Sequence, residues 1–401
     1  MRSKKEYLGK LILLIEVLKA YGFLFKNFLR SKKVICVDIY EKGYIEHVLD
    51  YLHILDELSE VTVFVSTQDL YLKNANFICL GYRLISFRVL RFLYGVSLFI
   101  TPQVHLKKPP GSYSIHIFHN QPVKYISFPP ELLKNIDEHF VWGSFMYSWV
   151  KEMLSANKHD SKVTTIGSPR HDKEIFNIPN YTSNTSTRIE NKKELVIGYA
   201  PSWDPYLSLR TNGLEIIRTA SSLEKSKVCI RLHPCSLVSK KNNDFQFYTG
   251  GIDWHEKISS MKLNNVSFGD QISTIKYLDK IDILITDVSS IAFDAFLLNK
   301  PVIFYNTPEF WENLFSKLYI NYSISDKSSG DLSKNPYLNA GRQAGKVVSS
   351  LSDLYGSLLD ISKGNDKFFY LRNSINSNLI SNKGNSKQIA RERINKLLSL
   401  N

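Results

Sequence analysis

The stretch Asp282 to Tyr305, DILITDVSSIAFDAFLLNKPVIFY, decides the fold. Three apolar residues, Ile283 to Ile285, read as a buried strand, and Thr286, Asp287, Ser289 and Ser290 form a polar turn. Ile291 to Leu298 supplies an apolar helix and Val302 to Tyr305 a second strand. Strand, turn, helix and strand in that order make a β-α-β unit, whose turn presents hydroxyls and backbone N–H groups at a helix start, a setting suited to an anion.

Working outward, the same alternation recurs on both sides. KVICVDIY (Lys33 to Tyr40), an amphipathic helix over Glu46 to Leu58, and VTVFVST (Val61 to Thr67) open a first series. Strands are also expected at Asn76 to Leu80, Ser97 to Thr101, Ser114 to His119 and His139 to Gly143. Strands alternating with helices at this spacing predict a parallel, doubly wound sheet. A second series starts at ELVIGYA (Glu194 to Ala200), passes through a helix near Leu214 to Leu223 and VCIRLHP (Val228 to Pro234), and ends in the stretch quoted above. Residues beyond Gly345 read as helices with Ser, Gly and Asn breaks.

Between the two series, NYTSNTSTRIENKK (Asn180 to Lys193) is polar and poor in apolar residues, which marks a linker. The expected organisation is an α/β protein of two Rossmann-like domains facing a cleft, the GT-B-like arrangement. Residues 1–178 make an N-terminal domain, 179–193 the linker, and 194–401 a C-terminal domain. The 401-residue length and 43% hydrophobic content are sufficient for two full cores.

The net charge of +13 calls for an acidic partner: nucleic acid, an anionic membrane surface or phosphorylated substrates. Nucleic acid is not expected, because no basic groove interleaved with stacking aromatics is apparent. The four cysteines contain no CxxC pair, so a reduced cytoplasmic compartment fits best. No apolar run reaches the roughly 20 residues a membrane span needs. The N-terminal KKEYLGKLILLIEVLKAYGFLFKNFLRSKK is nonetheless Leu/Ile/Phe-rich and carries Lys10, Lys19, Lys26, Arg30, Lys32 and Lys33. Such a helix suits the interface of an anionic membrane, or packs on its own domain. GYRLISFRVLRFLYGV, an apolar helix punctuated by Arg83, Arg88 and Arg91, offers a second such surface.

Two histidines stand at expected strand ends. Alternation from Ser114 places His119 on one face with Ile115 and Ile117, and His116 on the other. An imidazole there can act as general base or be a satisfied structural group. In Arg231-Leu-His233-Pro234 the arginine and histidine share a face, a donor pair for phosphate oxygens or a surface arginine beside a structural histidine. No Asp-x-Asp or His/Asp cluster with metal-ligand spacing stands out, so no metal or cofactor is expected.

FHNQPVKYI, IGSPRHD, GYAPSWD, RLHP and ITDVSSIAFDAFLLNKPVIFY, in this order, resemble the CDP-glycerol glycerophosphotransferase family, which builds wall teichoic acids and related phosphate-containing capsules of the bacterial cell envelope. The resemblance implies His119 as the base that activates an acceptor hydroxyl and His233 as a contact to the donor phosphates. It further implies that Thr286, Asp287, Ser289 and Ser290 bind the same diphosphate, joined by Arg231 and Pro201. Lys124, Gly167, Arg170 and Asp172 then fall on the acceptor and cleft side, Gly167 to Asp172 matching the family's G-x-P-R-x-D loop. The implied reaction moves glycerol phosphate, or a related polyol phosphate, from a CDP-activated donor to a lipid-linked or glycan acceptor and releases CMP. It would run on the inner face of the cell membrane.

The chain departs from the family at Asn120, where a Gly is usual, and beyond Tyr305, where the Arg-Gly and Pro-Gly pairs are absent. Those departures leave open a GT-B glycosyltransferase using a nucleotide-sugar in capsule or lipopolysaccharide synthesis. A non-catalytic nucleotide-binding or membrane-scaffold protein is the third reading, against which both histidines and the intact TDVSS turn argue.

Overall fold

The computed structural model describes residues 4–30, 32–40, 44–58, 61–67, 83–103, 107–121, 134–177, 189, 192–270, 272–318 and 341–400. The expected strand Asn76 to Leu80, most of the 179–193 linker, and Lys124 lie outside these residues. The chain divides into two compact units. The first takes residues 1–120, 128–178 and 380–401; the second takes 121–127 and 179–379.

In the first unit seven strands form one sheet in the order β3-β2-β1-β4-β5-β6-β7. They are β1 (Lys33–Tyr40), β2 (Val61–Thr67), β3 (Arg83–Ser86), β4 (Leu98–Thr101), β5 (Tyr113–His116), β6 (Glu138–Val141) and β7 (Lys162–Thr165). Every pairing is parallel. Strand alternation sorts the core: Ile35, Val37 and Ile39 enter one cluster with the helix Ile45–Asp56, while Val34 and Cys36 enter another with the helix Lys4–Phe28.

The N-terminal helix resolves the choice left open by its sequence. One stripe, Leu13, Val17, Ala20, Leu24 and Asn27, turns inward, where Ala20 and Leu24 join Phe64, Val89 and Phe99. Its other side keeps Leu11, Leu14, Leu18, Phe25 and Phe28 exposed. The helix therefore packs on its own unit and still shows an apolar face. Among the described residues no helix is long and apolar enough to cross a membrane.

Three expectations need correction. GYRLISFRVLRFLYGV is not one helix: Arg83–Ser86 adds an edge strand against β2, and only Phe87–Phe92 turns, as a 3-10 helix that Ser86 caps by accepting from the Arg88 N–H at 3.3 Å. Lys346–Val348 is a strand, because the strand Val302–Tyr305 offers a free edge to pair with. The last residues also do not belong with the second unit. The helix Ser386–Leu400 buries Ala390, Ile394, Leu397 and Leu398 among Ile35, Leu98 and Ile115 of the first sheet. It is pinned by Arg393, which donates twice to the fully buried Glu138 carboxylate at 2.9 and 2.6 Å.

The second unit has a six-stranded sheet in the order β10-β9-β8-β11-β12-β13, again all parallel. Its strands are β8 (Leu195–Tyr199), β9 (Ser226–Ile230), β10 (Val266–Phe268), β11 (Ile283–Thr286), β12 (Val302–Tyr305) and β13 (Lys346–Val348). The opening stretch is the β-α-β unit read from its pattern, with the helix at Ile291–Leu297. In both sheets the order reverses once, between β1 and β4 and between β8 and β11. In open α/β sheets such a switch point, at the carboxyl ends of the strands, is where ligands bind.

Replacing Arg393 with Met leaves the Glu138 carboxylate buried without its cation, which costs about 3–5 kcal/mol. A urea melt should show a clear fall in the unfolding midpoint; an unchanged midpoint would mean that the C-terminal helix is not held in this way.

Candidate functional site

In the second unit the switch point is built around Asp287, directly after β11 and 1% exposed. One carboxylate oxygen accepts from the N–H groups of Ser202 (3.0 Å) and Val288 (2.7 Å). The other accepts from the Ser208 N–H (3.1 Å) and hydroxyl (2.7 Å). Thr286, fully buried, donates its hydroxyl to the Ala200 carbonyl at 2.7 Å. Both side chains are thus consumed in tying the loop after β8, including buried Pro201, and the start of the helix Ser208–Ser221 to the β11 turn. The side chains of Thr286 and Asp287, expected at the donor phosphates, shape the turn. Ser289 and Ser290 are the members of the motif left partly exposed, and their hydroxyls make no hydrogen bond among the described residues.

The RLHP segment differs from its strand reading for one reason. β9 ends at Ile230, so alternation does not govern Arg231 and His233. Arg231 points its guanidinium into the 269–274 loop, donating to the carbonyls of Gly269 (3.0 Å) and Ile272 (2.5 Å). Its part is to brace that loop. His233 caps the 3-10 helix Pro234–Leu237, its Nδ1 accepting from the Cys235 N–H at 3.2 Å. In the neutral ring that bond leaves the proton on Nε2, a donor suited to a phosphate oxygen. Two groups stand beside this segment: Asp270, which the sequence reading missed, and Trp203 of the GYAPSWD motif. Asp270 accepts from the Leu232 N–H (2.5 Å) and meets His255 Nε2 at 2.7 Å, and Trp203 stands 6.5 Å from the His233 ring and 5.2 Å from that of Tyr248. Asp270 has no sequence signal, since loop closure brings it to this segment.

In the first unit His119 does not extend a strand. β5 stops at His116 and Phe118 takes a positive φ of 32°, which breaks the alternation and redirects the chain. The turn delivers the His119 ring to the switch point. Its Nδ1 lies 2.9 Å from the carbonyl of Pro102, the residue after β4. A carbonyl only accepts, so Nδ1 carries the proton and Nε2 is a bare lone pair, the tautomer a general base requires. Burial lowers the pKa of this ring, partly opposed by the Pro102 hydrogen bond. Tyr44 packs edge-on at 4.8 Å and His47 at 6.0 Å. His47, which sequence reasoning missed, is held well below the usual histidine range by burial and then by the Arg170 charge.

The G-x-P-R-x-D loop divides its labour. Gly167 takes φ +95°, and a Cβ there would meet the Ser386 hydroxyl oxygen within 2.2 Å and the Ser381 carbonyl within 2.6 Å. Asp172 accepts from the N–H groups of Gly384 (2.7 Å) and Ser386 (2.6 Å). These two, expected on the acceptor and cleft side, dock the C-terminal segment. Arg170 of the loop reaches the His119 neighbourhood, with its Nη1 3.5 Å from His47 Nδ1 and its Nε 3.4 Å from Glu174. Lys124 is outside the described residues.

With that geometry in place, the comparisons can be set beside it. Residues 133–322 match the family model described as CDP-glycerol:poly(glycerophosphate) glycerophosphotransferase. Among solved structures the wall teichoic acid polymerase TagF is similar, with a TM-score of 0.60 and 14% identity over 100% of this chain and 99% of that one. MnaA of S. aureus, in its UDP co-structure, gives a TM-score of 0.55 at 14% identity, covering 92% of this chain and 98% of that one. The UDP-GlcNAc 2-epimerase of Neisseria meningitidis gives 0.53 at 12%, covering 91% and 100%. At such identities the likeness is one of fold, and it agrees with the two parallel sheets expected from the strand and helix alternation. A search of the curated proteins found no match.

Two measurements bear on these assignments. Asp287→Ala is expected to lower stability by about 2–4 kcal/mol, as a buried acceptor of several hydrogen bonds is lost; a wild-type melting curve would contradict the clamp. Because the His119 pKa is lowered, its neutral form persists into acid, so the acid limb of kcat/KM should lie below pH ~6.5. A limb above that value would show that another group sets it.

Proposed function

We infer that this chain, which over residues 133–322 belongs to the CDP-glycerol glycerophosphotransferase family, is a transferase of cell-surface polymer synthesis that moves glycerol phosphate from CDP-glycerol to an acceptor hydroxyl. The observation that carries the reading is the His119 tautomer: Nδ1–H fixed on Pro102 and Nε2 bare at the switch point of the first sheet. The donor side is supported by the second sheet's switch point, with the Ser289 and Ser290 hydroxyls and the Nε2–H of His233. A polymerase of similar fold, TagF, has been solved after a soak with CDPG.

In this reaction the acceptor oxygen loses its proton to His119 Nε2 and attacks the β-phosphorus. The bond from that phosphorus to the bridging oxygen breaks, and CMP departs with the bridging oxygen and its electron pair. His233 and the two serines stabilise the charge that grows on the phosphoryl oxygens and on the leaving phosphate. The His119 proton then returns to solvent.

The acceptor is proposed to be lipid-linked, met at an anionic membrane surface on its cytoplasmic side. The support is the exposed face of the helix Lys4–Phe28, where Leu18 is 62%, Phe25 64% and Phe28 77% exposed beside Lys19, Lys26 and Arg30. The 3-10 helix Phe87–Phe92 continues this face: Tyr21 donates to the Phe92 carbonyl at 2.7 Å, and Arg91, Phe92 and Tyr94 are exposed. Apolar side chains ringed by cations suit the headgroup region of anionic lipid.

Incubation with CDP-glycerol and a lipid-linked glycerol phosphate acceptor should release CMP, and His119→Ala should slow that release about 10²–10⁴-fold. Release of a nucleoside diphosphate from a nucleotide-sugar, with none of CMP, would replace this reading by sugar transfer. The protein should float with phosphatidylglycerol vesicles but not with neutral ones, and Leu18→Asp/Phe25→Asp should abolish flotation. Flotation unaffected by that pair would remove the helix from the membrane contact.

A further inference from the structure

Among the described residues, the buried and half-buried arginines that form ion pairs set Arg342 apart. Arg372, fully buried, forms a two-pronged pair with Asp366, and Arg393 does so with Glu138. Arg170, 7% exposed, has Glu174 at 3.4 Å. Arg342 is 9% exposed and, among the described residues, makes no ion pair. It begins a 3-10 helix whose preceding Gly341 lies against Phe304 of β12 and Phe293 of the helix that follows the TDVSS turn. The guanidinium stacks 4.7 Å above the Trp311 ring and donates Nη1 to the neutral Asn306 Oδ1 at 2.8 Å. Asn306 Oδ1 also takes the Trp311 indole N–H at 3.2 Å, so side chain, ring and amide hold one another in place. The second amino nitrogen, Nη2, is buried and has no hydrogen-bond partner.

The position matters as much as the missing partner. Asn306 follows β12, neighbour of β11, so the guanidinium stands at the carboxyl edge of the same strands that carry Ser289 and Ser290. Asp287 is the carboxylate whose field it feels, but both Asp287 oxygens are already filled by Ser202, Val288 and Ser208. Burial pulls the Arg342 pKa down to about 10, which still leaves it cationic at neutral pH. A buried cation held only by an aromatic face and a neutral amide is unfavourable unless an anion completes it. Its free nitrogen and planar fork match two oxygens of a phosphate.

We propose that Arg342 is a donor-diphosphate ligand, completing from the β12 side the cradle begun by Ser289, Ser290 and His233. The proposal rests on the reading of that turn as the donor site, and it adds a residue from beyond Tyr305, where the family's Arg-Gly pair is absent. Trp311 and Asn306 act as positioning residues for it.

The full-length chain and its Arg342→Met and Arg342→Lys variants are titrated by calorimetry with CDP, inorganic pyrophosphate and cytidine, with melting curves for each protein. Arg342→Met should weaken CDP and pyrophosphate about tenfold or more and leave cytidine unchanged. Arg342→Lys, which keeps the charge and loses the fork, should fall between, and it carries the test should the Met variant not fold. Wild-type affinity for CDP and pyrophosphate in the folded variants would overturn the proposal, as would a wild-type chain that binds neither. Pyrophosphate binding that depends on Arg342, in a chain that releases no CMP from CDP-glycerol, would uphold the ligand and overturn the glycerophosphotransferase reading.

Discussion

The carboxylate of Asp287 is the constraint on which the second unit's functional end depends. Strand ends at a switch point diverge, because helices leave toward opposite faces of the sheet, and the loops there have unpaired backbone donors. Asp287 gathers donors from three places: the loop after β8, its own turn, and the start of the helix Ser208–Ser221. A buried anion with every oxygen satisfied by backbone and hydroxyl donors is stable without a cation. The turn is thereby rigid before any ligand arrives, and Ser289 and Ser290 are displayed at no further cost in ordering.

The first unit reaches a comparable end by other means. There the fixed point is a backbone carbonyl, Pro102 after β4, and the group it orients is a titrating one. Phe118 turns the chain through the left-handed region, and its ring packs 4.1 Å from that of His116, whose Nδ1 lies 3.2 Å from His139 Nδ1 beneath the loop. Burial holds His139 down to about 3, so its imidazole stays neutral and serves as packing under the loop that carries His119. One unit holds a preset tautomer and the other a preset pair of serine hydroxyls, both at places dictated by strand order.

Much of this was legible in the residues. Alternating strands and helices predict two parallel sheets, since β-branched runs such as VTVFVST and apolar runs such as ILI fit a sheet buried on both faces. The DILITDVSSIAF stretch predicts its own strand, turn and helix. What failed to read out was side-chain direction at strand ends, where alternation stops: His119, Arg231 and His233 each point as a turn or cap dictates. The TDVSS motif was legible as a unit but not in its division of labour, because burial decides which oxygens are spent internally. Partners distant in sequence, such as Asp172 with Ser386 or Arg342 with Asn306, leave no periodic trace. The basic and apolar N-terminal stretch was ambiguous for a physical reason, as the helix has both an inward stripe and an exposed face.

The helix Ser386–Leu400 also sets an order of events during synthesis. The first sheet is made early, yet Ile394, Leu397 and Leu398 fill part of its core. Ile35, Leu98 and Ile115 must therefore wait, incompletely covered, until Leu397 and Leu398 have left the ribosome. The second unit, almost wholly contained in residues 179–379, can close while they wait. Completion of the first unit thus follows translation of the second.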